Sequence, residues 1–117
     1  MPVDEKDFLA FAESLPNDSE INIRNAISRF YYASFHCCVK KYHSKNASKV
    51  GGMHIKLSSS LINSSNKNDK RIGYMLQQLH QLRVAADYLI LDSIVESDRI
   101  TSIKQTKALI ELVEAPA

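Results

Sequence analysis

Arg29 and His36 stand seven positions apart, two turns of a helix, with their Cα atoms roughly 10 Å apart along its axis. The arginine side chain is long enough for both groups to converge on one phosphate. A guanidinium can clamp two phosphate oxygens at once, and an imidazole exchanges a proton near neutral pH. The pair suits metal-free phosphodiester chemistry, in which a ribose 2′-hydroxyl attacks the neighbouring phosphate, histidine acts as acid or base, and arginine stabilises the added negative charge. The same spacing also fits a plainer arrangement: a dimer seam or a second bundle contact, with Tyr32 packed and His36 hydrogen-bonded.

The residues around this pair sharpen the reading. On a helix covering residues 22–43, Asn25, Arg29, Tyr32, His36 and His43 fall within about 60° of one another, with Asn22 and Lys40 at the edge. A stripe that only met water would favour Glu, Lys and Gln, the good helix formers. This one carries groups that bind and transfer protons. On the opposite face Ile23, Ala26, Ile27, Phe30, Ala33, Ser34 and Cys37 form an apolar set that belongs in a core. Tyr31 is expected on the core side. Tyr32 lies on the stripe, where its ring could stack on a base or its hydroxyl meet a phosphate.

Helical periodicity runs through the rest of the chain, and no β-type alternation persists. The pattern predicts a first helix from about Asp4 to Ser14 with Phe8, Leu9, Phe11, Ala12 and Leu15 inward, stopped by Pro16. The second runs from about Ser19 to His43, followed by a polar loop ending in Gly51-Gly52. A short third helix covers Met53 to Asn63, weakened by Ser58, Ser59 and Ser60. A loop over Ser64–Asp69 leads to a fourth helix from Lys70 to Val95, whose core face is Ile72, Met75, Leu76, Leu79, Leu82, Ala86 and Ile90. Ser97-Asp98 breaks that helix and caps a fifth, about Arg99 to Val113. Two long helices with shorter partners fit an all-α antiparallel bundle, a single domain over residues 1–117.

Within the fourth helix Arg83 and Asp87 are four apart beside His80. An intrahelical ion pair is the plain reading; partly buried, it would fix helix register or orient a group on the second helix. Tyr88 is expected to pack with its hydroxyl tethered. His54 follows Gly51-Gly52 at a helix start, where a charged imidazole is disfavoured. It is expected to be neutral, capping or exposed, or else to meet a phosphate together with Lys49 and Lys56.

The totals set limits. With 117 residues, 44% of them hydrophobic, the chain can bury one core and is not a disordered tail. No apolar run is long enough to span a membrane, and the acidic start, Asp4-Glu5-Lys6-Asp7, does not read as a secretory signal, so the expected compartment is cytoplasmic. Cys37 and Cys38 are neighbours, cannot easily pair with each other, and read as small buried hydrophobes. No CxxC or HExxH spacing points to a metal, and no cofactor is implied. The net charge of +2 hides an uneven spread: residues 22–71 hold ten bases and a single acid, between two acidic ends. A basic middle suits a polyanion such as RNA, or forms solvated helix faces.

Two blocks resemble a known family. Ser28-Arg29-Phe30-Tyr31-Tyr32-Ala33-Ser34-Phe35-His36 resembles the SRxYYAxFH helix of HEPN-domain proteins, and Leu79 to Tyr88, with Arg83, Ala86, Asp87 and Tyr88, resembles that family's later LxxxRxxADY helix. His54 opens a helix between them as a histidine does in many members, and the likeness in order and separation covers about residues 8–112. The resemblance implies a four- to five-helix up-and-down bundle, HEPN-like and often dimeric. It also implies either a metal-independent endoribonuclease of toxin–antitoxin or phage-defence type, or an inactive RNA- or nucleotide-binding module that pairs with a nucleotidyltransferase-like protein or antitoxin. The family's active motif, Arg then four to six residues then His, would be Arg29 and His36, two copies of each meeting in one cleft. Asn25, Tyr32, Lys40, His43, Arg83 and Asp87 would bind RNA or support the site. The most active members carry Asn, Asp or His directly after the arginine; Phe30 stands there in this chain.

Overall fold

The helices begin where short polar side chains can take up orphan backbone N–H groups. In the computed structural model, which describes residues 3–42 and 53–115, the Asp4 carboxylate accepts from the Lys6 N–H at 2.6 Å, and Asp7 accepts from the Asp4 N–H at 2.9 Å. This reciprocal cap starts α1 (Glu5–Ser14). Then follow α2 (Glu20–Tyr42), α3 (Met53–Ile62), α4 (Lys67–Tyr88) and α5 (Glu96–Glu114). Among the described residues every regular element is a helix, so the expected all-α bundle is the observed one.

The long α2 is the centre of the assembly, packing against α1, α4 and α5, while α3 packs on α4. Its seven expected core residues, Ile23 to Cys37, are all buried. Tyr31 and Phe35 meet Leu57 and Leu61 of α3, Leu76 and Leu79 of α4, and Leu109 of α5 in the largest apolar cluster. Two buried hydroxyls tie α2 to α5: Ser34 Oγ donates to Thr106 Oγ1 at 3.1 Å, and Thr106 donates to the Phe30 carbonyl at 3.3 Å, which satisfies polar groups that burial would otherwise penalise.

Several boundaries differ from the periodic reading. Asn66 Oδ1 accepts from the Asn68 and Asp69 N–H groups, so α4 starts three residues earlier than Lys70. It stops at Tyr88, well before Val95, and Ile90 is 76% exposed instead of core. Ser97 and Asp98 lie inside the first turn of α5, where Asp98 reaches back to accept from the Val95 N–H at 2.8 Å. Phe11 is exposed because Leu9, Ala12 and Leu15 carry the packing of α1 on α2. Tyr88 is also exposed, although its hydroxyl accepts from Arg83 at 3.4 Å.

Gly73 lets α3 and α4 approach closely. A Cβ there would lie 2.8 Å from the Ile62 backbone nitrogen and 2.9 Å from the Leu61 Cβ, nearer than real contacts allow. Gly73→Ala gains helix propensity but must push the two helices apart. We expect a net loss of about 2 kcal/mol in urea unfolding; a stabilised variant would show that this crossing is loose.

Candidate functional site

The polar stripe of α2 lies at the surface beside α1. Asn25 and Lys40 are exposed; Arg29, Tyr32 and His36 are half-buried. The Arg29 guanidinium lies 5.0 Å from the Tyr32 ring centroid, within cation–π range. Tyr32 in turn stacks beside His36, with centroids 6.1 Å apart. Phe8 of α1 covers this line, 5.0 Å from the His36 ring and 6.4 Å from Tyr32. An open cavity of about 290 Å³ is walled by Val3, Asp7, Phe8, Phe11 and Arg29. Lys40 is tied to α1, its ammonium 3.3 Å from the buried Glu5 carboxylate. His43 falls outside the described residues.

The Arg83–Asp87 pair of α4 does orient groups on α2. Arg83 Nε donates to Asp87 Oδ2 at 3.2 Å, and the same oxygen accepts from Ser28 Oγ at 3.1 Å. The Arg83 guanidinium is buried among tyrosines, 5.8 Å from the Tyr31 ring centroid, 5.5 Å from Tyr32 and 5.6 Å from Tyr88. Tyr32 thus lies within reach of two guanidinium groups, Arg29 and Arg83.

Two further histidines complete the cluster, and the sequence reading left both outside the site. The Tyr31 hydroxyl is hydrogen-bonded to His54 Nδ1, and the His54 ring lies 4.3 Å from Phe35 and stacks on His80 at 5.5 Å. His54 is therefore neither a helix cap nor a free surface group. His80 was visible as the residue one turn before Arg83, whereas nothing periodic links His54 to Tyr31. No family model matches this chain, and comparison with curated proteins and with solved structures gives no match.

Burial lowers the affinity of all three histidines for protons. At His36 it is opposed by the Glu5 carboxylate; at His54 it is reinforced by His80, Arg83 and His36; at His80 it is reinforced by Arg83. Burial also pushes the Tyr31 phenol upward, against the pull of Arg83. Tyr31 therefore stays a neutral phenol beside His54 Nδ1, and near neutrality the imidazoles are unprotonated, able to accept a proton. The buried thiols are inert by comparison, Cys37 being pushed up to about 11 by burial. Among the described residues no group of three or more His, Cys, Asp or Glu side chains is placed to hold a metal ion, and no helix is long and apolar enough to cross a membrane.

Depressed histidines couple stability to acidity. An unfolded chain takes up these protons near the ordinary value of 6.5, before the folded chain does. The histidine contribution is fully present above that pH and is lost as pH falls below it, toward the folded values. The urea midpoint should therefore drop between pH ~7.5 and ~5.5, and drop less in His54→Gln/His80→Gln. Equal acid sensitivity of the two proteins would contradict this.

One expectation needs correction. Arg24, counted from sequence within the basic middle, is interior. Its guanidinium donates to the carbonyls of Ala85, Ala86, Leu89 and Asp92 and pairs with Glu20 at 3.0 Å. It holds the end of α4 and is not offered to a polyanion.

Proposed function

We propose that this chain is a HEPN-like, metal-independent endoribonuclease of toxin or phage-defence type. It acts as a homodimer in which Arg29 and His36 of two copies line one cleft. The observation that carries the reading is the half-exposed line Arg29–Tyr32–His36, with its neutral imidazole and a guanidinium kept at the surface. Neither group is taken into the apolar interior.

In the proposed reaction His36 accepts the proton of a ribose 2′-hydroxyl. The 2′-oxygen forms a bond to phosphorus and the bond from phosphorus to the 5′-oxygen breaks. The departing oxygen takes a proton from the imidazolium so formed, leaving a 2′,3′-cyclic phosphate and a 5′-hydroxyl. Arg29 holds the non-bridging oxygens as charge builds on them, and Tyr32 offers a stacking face to a base. Arg83 and Asp87 act as positioning residues through Tyr32 and Ser28. RNA incubated with the protein in EDTA should be cut by wild type and spared by His36→Ala.

A second reading is an accessory module that holds RNA or a nucleotide without cutting it, paired with an antitoxin or nucleotidyltransferase-like protein. The observation favouring it is Phe8, which packs on His36, together with the wholly buried Phe30 after Arg29. Salt-dependent RNA binding with no cleavage would select it.

A further inference from the structure

The turn between α4 and α5 is held from inside while its apolar side chains face out. Arg24, on α2, donates to four carbonyls spread over Ala85 to Asp92, and Ile94 is buried against Ile23 and Ile27. These anchors fix the backbone. Yet Leu91 is 97% exposed and Ile90 76%, with Tyr88, Leu89 and Val95 exposed beside them. Scattered surface apolar residues need no explanation; consecutive ones on a pinned turn form a patch of the kind that marks an interaction site.

The Arg24 cation beneath the turn is paired with Glu20, and the charges that the turn segment itself carries have one sign. Between Arg83 and Arg99 the chain has no Lys or Arg, only Asp87, Asp92, Glu96 and Asp98. Arg83 neutralises Asp87, and Asp98 caps α5. Among the described residues neither Asp92 nor Glu96 joins an ion pair, and Glu96 Oε2 is out of solvent with no hydrogen-bond partner. Like charges would oppose a second acidic tip in a two-fold pair, and would oppose an anionic membrane surface. They favour a cationic partner.

We propose that the α4–α5 turn is a docking knob for a protein partner that presents a basic amphipathic helix, with Ile90 and Leu91 seated on its apolar face and the exposed Asp92 meeting its Lys or Arg side chains. Arg24 contributes by pre-organising the turn, so little ordering is needed on binding. Arg24 and His36 are twelve residues apart on α2, about 18 Å along its axis, so a partner on the knob can leave the polar stripe open.

The test uses a short Leu/Lys amphipathic helical peptide as probe, titrated into the full chain by fluorescence anisotropy. A Leu/Glu peptide of the same pattern and the variant Ile90→Ser/Leu91→Ser serve as comparisons. Both replaced side chains are exposed, so the variant should retain the wild-type circular dichroism. The Leu/Lys peptide should bind wild type about tenfold or more tightly than the variant, weaken with salt, and outcompete the Leu/Glu peptide. Equal binding to both proteins would reduce the effect to charge alone and overturn the proposal, as would no binding or equal binding of the Leu/Glu peptide. Dimerisation of wild type that the variant abolishes would assign the turn to a second copy, and likewise overturn it.

Discussion

Arg24→Ala should lower the unfolding free energy by roughly 3 kcal/mol, the largest stability loss expected from a charged side chain of this protein. Carbonyls at the end of a helix lack a full set of partners within it, and this guanidinium adds donors from α2 at 3.0 to 3.3 Å for Ala85, Ala86 and Leu89. Without it the Ala86 and Asp92 carbonyls lose their donor, while those of Ala85 and Leu89 keep the Leu89 and Asp92 N–H groups, and each orphaned acceptor is costly. Arg24→Met keeps the volume and aliphatic stem but none of the donors, so it should lose almost as much. Arg24→Lys should recover only part, because one ammonium cannot span carbonyls from Ala85 to Asp92 as a planar fork can. Urea unfolding checks all three. A loss below about 1 kcal/mol for Arg24→Ala would mean that the turn is secured by Ile94 packing instead.

This residue also marks where sequence reading stops. The core face of α2 was legible because burial every three or four positions leaves a periodic trace, and each of its expected core residues is buried. The extent of α1 was legible because Leu9, Ala12 and Leu15 repeat at helical spacing ahead of Pro16. The end of α4 was not. Leu89-Ile90-Leu91 continues an apolar pattern, and no Gly or Pro occurs between Gly73 and Pro116 to stop a helix. The termination is tertiary, imposed by an arginine more than sixty residues earlier in the chain, and local chemistry carries no mark of it. His54 escaped for a related reason, since its partner Tyr31 lies on another helix across a long link. Arg83 and Asp87, sharing one face of one helix, were legible as a pair and as a device that orients α2.

Arg29→Ala and His36→Ala should each reduce RNA cleavage about 100-fold or more, with circular dichroism unchanged because both side chains are half-exposed. The two losses have different origins. Without His36 nothing in the line accepts the 2′-hydroxyl proton. Without Arg29 the phosphate loses the paired donors that match its growing charge. Arg29→Lys should remain impaired, because an ammonium keeps the charge but not the two-pronged geometry. Single-turnover rates on a short single-stranded RNA, measured in EDTA, check each variant. Full activity in either alanine variant would remove that residue from the reaction.

The central claim, that two copies share one cleft built on Arg29 and His36, is tested most directly by mixing. Inactive Arg29→Ala protein and inactive His36→Ala protein are combined, unfolded and refolded together, and assayed for RNA cleavage. Mixed dimers then hold one arginine and one histidine in the shared cleft, and part of the wild-type rate should return. A mixture as inactive as its components, or a wild type that leaves RNA intact, would contradict the account.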